Sequence, residues 1–175
     1  MDYSYDPCKD INSIDFDNPK FTLGRGDILK LAVLLPFSSK SVKEIVRLLP
    51  EMERYIADHF ADKNVIMLGD FNDILTDTDE NNVFNVFLDQ PEKYAFTDMT
   101  IAEGSAENWS YPGWPSHLDH ILITNELFDE FDNTGSTVQT IPIEDYLEGG
   151  WSDYEKYISD HRPVVLSLNF NPERK

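Results

Sequence analysis

Cationic side chains are scarce in this chain. Lys and Arg number 14 against 33 Asp and Glu, a formal net charge of -19 over 175 residues. A surface of that sign repels polyphosphate backbones at long range, so a broad basic groove for duplex nucleic acid is excluded. Cysteine is nearly absent too. Cys8 is the single one, and no internal disulfide can form. No apolar run is long enough to span a bilayer. The opening MDYSYDPCKD has neither the basic stretch nor the apolar core of a secretion signal. A complete chain of this kind is expected in the cytoplasm; one that had lost a leader would be secreted or periplasmic. Internal repeats and low-complexity segments are lacking as well.

What is present suits a single domain. Hydrophobic residues make up 41% of the chain, enough for a real core. Residues 1–27 are polar and acidic and read as an irregular segment, with the domain proper over 28–175. Ile28–Leu35 reads as a buried strand ended by Pro36. From Val42 the apolar residues Ile45, Val46, Leu49, Met52, Ile56 and Phe60 fall at helical spacing. Pro50 interrupts them, which predicts a kink or two short helices. Val65–Leu68 reads as a strand and Val83–Leu88 as a short helix. His117–Thr124, Ser136–Ile143 and Arg162–Phe170 read as further strands. Alternation of strands and helices, followed by strands, predicts a layered α/β or α+β domain.

Three polar clusters sit at strand ends. VIMLGDFND delivers Asp70, Asn72 and Asp73 straight after an apolar run. SHLDHILI carries His117, Asp119 and His120. YISDHRPV carries Ser159, Asp160, His161 and Arg162. Alone, each is an ordinary polar turn. Together they supply carboxylates for a hard divalent cation, an amide, and an imidazole with a carboxylate to hold it. That inventory suits hydrolysis of a phosphate ester. By strand alternation His120 faces away from Asp119 and reads as structural. Asp73, Asp77 and Asp79 read as a solvated acidic loop. Trp109, Tyr111 and Trp114 suit either stacking on a ligand or plugging the end of the sheets.

GDFN, SHLDHILI and SDHRPV, in this order, with Trp109–Ser110 ahead of the second, resemble the endonuclease/exonuclease/phosphatase superfamily from about Ile28 to Phe170. The resemblance implies a deoxyribonuclease I-like two-sheet α/β sandwich. It implies that Asp70 aligns or deprotonates the attacking water and that Asn72 positions it. It implies Mg2+ or Mn2+ held by Asp70, Asn72 and Asp160. His161 is then the imidazole that binds the phosphoryl oxygen, and Asp119 the carboxylate that orients it. His117 and Trp109 are weaker candidates for contact with substrate.

This chain also departs from the family pattern. The early strands that carry an asparagine and a metal-binding glutamate have no counterpart before residue 28, and residues 1–27 contain no glutamate. Leu34 stands where the family has a histidine or tyrosine. The expectation is therefore a sandwich truncated in its N-terminal half. Two functions follow from it: a Mg2+-dependent phosphoesterase, impaired by the missing groups, that hydrolyses a phosphomono- or phosphodiester of a small molecule, a phospholipid headgroup or nucleic acid by in-line attack of water, or a non-catalytic remnant that binds a partner. Nucleic acid is the disfavoured substrate. Apolar surface left uncovered by the shortened half implies self-association.

Overall fold

The computed structural model describes residues 31–36 and 42–170. The apolar run Leu31–Pro36 forms β1, and the helix Val42–His59, α1, crosses over from it. Val65–Asp70 forms β2, parallel to β1 from Leu31↔Val65 to Pro36↔Asp70. A parallel pair needs such a crossover. Two short helices, α2 (Asn85–Leu88) and α3 (Met99–Ala102), flank β3 (Tyr94–Phe96). β4 (Asp119–Thr124) inserts between β2 and β3, antiparallel to both. The sheet is mixed, in the order β1-β2-β4-β3. After α4 (Phe128–Asp132), β5 (Thr137–Thr140) pairs antiparallel with β6 (Val164–Ser167), and α5 (Gly150–Tyr157) lies between them in sequence. This is the two-sheet α/β arrangement expected from the sequence. No helix among the described residues is long and apolar enough to cross a membrane.

Several elements differ from the sequence reading. α1 is one helix with Pro50 inside it, not two. An interior proline costs about 3 kcal/mol. Here Ile45, Leu48 and Leu49 before it and Ile56 after it are all buried in the same core, and that packing offsets the cost of one continuous helix. The ladders of β4, β5 and β6 are shorter than the apolar runs that announced them. β3, α3 and α5 were not anticipated; the first two are short, and α5 is mostly polar. Residues 28–30 of the first expected strand, and the irregular segment 1–27, lie outside the described residues. Leu34 is in β1, in register with Leu68.

The central sheet has two unlike faces. In antiparallel register Met67 pairs with Leu122, and with Val65 they join Phe71, Phe84, Phe87 and Phe96 in a buried aromatic core beneath α1 and α2. The opposite face carries Ile66, Leu68 and Ile121. It lines a cavity of about 510 Å³ whose far wall includes Val164, Leu166 and Phe170, in and just after β6.

Candidate active site

Strand register places the first two carboxylates. Asp70, the last residue of β2, lies directly opposite Asp119, the first residue of β4. Like charges opposed across a ladder destabilise it. The polypeptide then turns sharply. Asn72 has φ 53°, in the left-handed region that asparagine enters more readily than most residues. The turn lets the Asn72 N–H donate to Asp70 Oδ1 at 2.8 Å. Phe71 points the other way and is fully buried, so the motif's aromatic residue anchors the turn from below.

His161 arrives from the second sheet. Its N–H donates to Ser159 Oγ at 2.9 Å, and its carbonyl accepts from the buried Tyr154 hydroxyl at 2.8 Å. The ring packs on Tyr111, with centroids 4.7 Å apart. Its Nδ1 donates to Asp119 Oδ2 at 2.6 Å, with both side chains about 21% exposed. Asp70, Asn72, Tyr111, Asp119, Asp160 and His161 line one open polar cavity of about 450 Å³. The structure thus brings together five of the seven site residues chosen from the sequence, at the end of the sheet where β2 stops and β4 starts.

Charge accounts for the electrostatics of the cavity. Burial pushes the Asp70 carboxyl above its ordinary value; the Asn72 N–H pulls it down, and the Asp119 charge pushes it up again. The hydrogen bond to Asp119 raises His161 against the opposing effect of burial, and Asp119, Asp70 and Asp160 add attraction for its proton. Arg162, next in sequence, does not enter the cavity. It is bound to Glu144, its Nη1 donates to the Glu107 carbonyl at 2.8 Å, and its guanidinium lies 5.8 Å from the Trp151 ring centre.

The other two candidates lie elsewhere. His117 was expected near substrate, but it is 2% exposed. It accepts the Ser110 N–H on Nδ1 at 3.2 Å and donates from Nε2 to Asp98 Oδ2 at 3.0 Å. Trp109 is half-buried, and its indole N–H donates to the Ile101 carbonyl at 3.0 Å, the plug rather than the stacking arrangement. Neither lines the cavity. Of the flanking aromatics, Tyr111 lines the cavity, while Trp114 is 78% exposed.

Asp98 is the residue that sequence reasoning missed. It is fully buried at the end of β3, with nothing in YAFTDM to announce it. Its Oδ2 accepts from both His117 and His120, at 3.0 and 2.7 Å, and its Oδ1 accepts the Ile121 N–H at 2.8 Å. Burial pushes its carboxyl up, but the hydrogen bonds from His117, His120 and Ile121 together outweigh burial and hold it down at about 2. The other nitrogen of His120 donates to the Asp73 carbonyl at 2.9 Å.

Among the described residues, two groups have ligand atoms close enough for a metal: Asp70, Asp119 and His161, and Asp98, His117 and His120. In the second group every facing atom already has a hydrogen-bond partner and no solvent reaches it, so a cation does not fit. In the first, Asp119 and His161 are engaged with each other. Asp70 accepts one backbone N–H, from Asn72, and Asn72 and the exposed Asp160 line the same cavity outside that group, whose acidic and imidazole atoms could bind a metal ion.

A family model described as the Endonuclease/Exonuclease/phosphatase family matches residues 11–161. A comparison with curated proteins found none that matches. The family match begins ahead of residue 28, within the segment read from the sequence as irregular.

Proposed function

Because the chain belongs to the endonuclease/exonuclease/phosphatase family, a family of phosphoesterase-type hydrolases, we propose that it hydrolyses a small phosphoester by in-line attack of water. The observation that carries this reading is the 2.6 Å Asp119–His161 pair set across the same cavity from Asp70. Asp119 fixes the ring with Nδ1 inward, which leaves Nε2 to donate to a phosphoryl oxygen. The hydrogen bond to Asp119 raises His161 above its ordinary value and so favours the protonated, positive ring where negative charge develops. Asp70 aligns the attacking water and takes its proton, and the Asn72 amide positions water and phosphate. Asp70, Asn72 and Asp160 would hold Mg2+ or Mn2+, which when bound neutralises charge on the phosphate and lowers the pKa of water.

The substrate class follows from charge. Arg162 is turned away into Glu144, and the net charge is -19. A long polyanion finds no cationic track beside the motifs, whereas one phosphate needs only the cation and His161. The open apolar cavity between the two sheets favours self-association of the chain.

The test is turnover by the purified chain of a small phosphomonoester and a small phosphodiester with Mg2+, beside plasmid DNA. Mg2+-dependent hydrolysis of a small ester, abolished by His161→Ala, supports the proposal. A folded chain that turns over nothing favours the non-catalytic remnant instead. That second reading draws on Leu34, a β1 residue that stands where the family resemblance puts a histidine or tyrosine.

A further inference from the structure

Asp98 touches no atom that faces the cavity, yet its hydrogen bonds end on three segments that build it. Through His120 it reaches the Asp73 carbonyl, at the far end of the turn that carries Asp70 and Asn72. Through His117 it reaches the Ser110 N–H, and Ser110 Oγ in turn accepts the N–H groups of Leu118 and Asp119 at 3.1 and 3.2 Å. Directly, it accepts the Ile121 N–H inside β4. Ser110 also takes the Arg162 N–H on its carbonyl at 2.7 Å, next to His161. One buried carboxylate therefore ties together the Asp70–Asp73 turn, the Trp109–Ser116 loop and the start of β4.

We propose that His120, through its Nε2 bond to the Asp73 carbonyl, is a positioning residue that fixes the Asp70–Asp73 turn against the Asp119–His161 pair. The surroundings make the tie rigid. His120 is fully buried, and its ring lies 5.8 Å from Phe71, 5.3 Å from Phe84 and 5.9 Å from Phe96. In that apolar box a ring nitrogen that lost its acceptor would find no water, so the ring holds its orientation. Carbonyl and ionised carboxylate are both acceptors, so both nitrogens of His120 donate. No neutral side chain of similar shape makes both bonds. The catalytic meaning of the tie rests on the phosphoesterase reading; the tie itself does not.

Two variants separate the halves of the tie. In His120→Asn the amide nitrogen falls where Nδ1 stood, so Asp98 keeps its donor and the Asp73 carbonyl loses one. In His120→Gln the nitrogen falls where Nε2 stood, so the Asp73 carbonyl keeps its donor. The readouts are the amide resonances of Asn72 and Ile74, whose N–H groups bond Asp70 Oδ1 and Asp73 Oδ1, together with Mg2+ affinity by titration and kcat against KM. The expected result is that His120→Asn moves both amide resonances and weakens Mg2+ affinity or kcat by about 10- to 100-fold, the range for an outer partner of a metal ligand. His120→Gln should stay close to the parent chain at equal or lower thermal stability. Equal losses in both variants, or parental Asn72 and Ile74 resonances in a folded His120→Asn chain, would overturn the proposal. A parent chain without turnover counts against the phosphoesterase reading alone, because the resonances still decide the tie.

Discussion

Asp119 and His120 are neighbours in sequence and belong to different clusters. Asp119 faces the open cavity and holds His161; His120 faces the aromatic core and joins Asp98 and His117. The residue types are the same, two carboxylates with one imidazole against one carboxylate with two, and in both groups the ligand atoms lie within 4.8 Å of one another. Burial separates them. In the core cluster every donor has an acceptor and water is excluded, so its contribution is stability and alignment. In the cavity cluster two carboxylates oppose one another beside a single imidazole, in a polar cavity open to solvent. A geometric search that ignored solvent would rank the two alike.

The largest effect expected from this contrast is on stability. Asp98→Ala removes the acceptor from two buried imidazoles and should cost about 3–5 kcal/mol in urea unfolding. Asp119→Asn breaks a half-exposed pair and should cost on the order of 1 kcal/mol. Similar losses for both would erase the distinction between a structural and a chemical cluster.

Acid is the next probe. The Asp98 carboxyl is lowered from 3.8 to about 2. A carboxyl that is more acidic in the folded state contributes stability above its unfolded value, and that stability is lost as pH falls through the folded value. The loss should come between about pH 4 and pH 2 and amount to on the order of 2 kcal/mol. Asp98→Asn should flatten the stability curve in that window; a slope unchanged by the substitution would place the acid sensitivity elsewhere.

The cavity pair should answer to rising pH. The folded His161 is raised above 6.5, chiefly by Asp119. Its stabilising contribution is complete below 6.5 and fades as pH rises through the raised value. On the phosphoesterase reading, kcat/KM should fall as pH rises through that same value. Asp119→Asn should move the fall toward lower pH, which a pH–rate profile would show, whereas an unmoved limb would sever Asp119 from His161.

Metal gives the smallest effect. Mg2+ at 10 mM should raise stability by less than about 1 kcal/mol, because few carboxylates face it in the absence of substrate. The shift should vanish in Asp160→Ala and persist in His117→Asn. Removal of divalent ions with a chelator should leave the fold intact; unfolding on chelation would mean that a structural metal had been overlooked.

Much of the cavity was legible because its residues are local punctuation. GDFND, LDH and SDH each place polar groups where an apolar run starts or stops, and a strand end is where a sheet offers side chains to solvent. Alternation along β4 separated His120 from Asp119 for the same reason, since successive strand residues face opposite ways. α1 was legible from its period, but its continuity through Pro50 was not, because that depends on the core it packs against.

By itself, then, the sequence determined the layered α/β class, the strand-end motifs and the sign of the surface charge, all of which depend on spacing and composition; the two-sheet arrangement followed from the family resemblance. Tertiary structure alone decided which histidine meets which carboxylate. His161 reaches Asp119 across 42 positions, and His120 reaches Asp98 across 22. Partners so far apart in the chain are set by strand register and burial, and no local pattern records them. That is why His117, beside the motif in sequence, lies in the core, and why Asp98, in no motif at all, holds the site's three segments together.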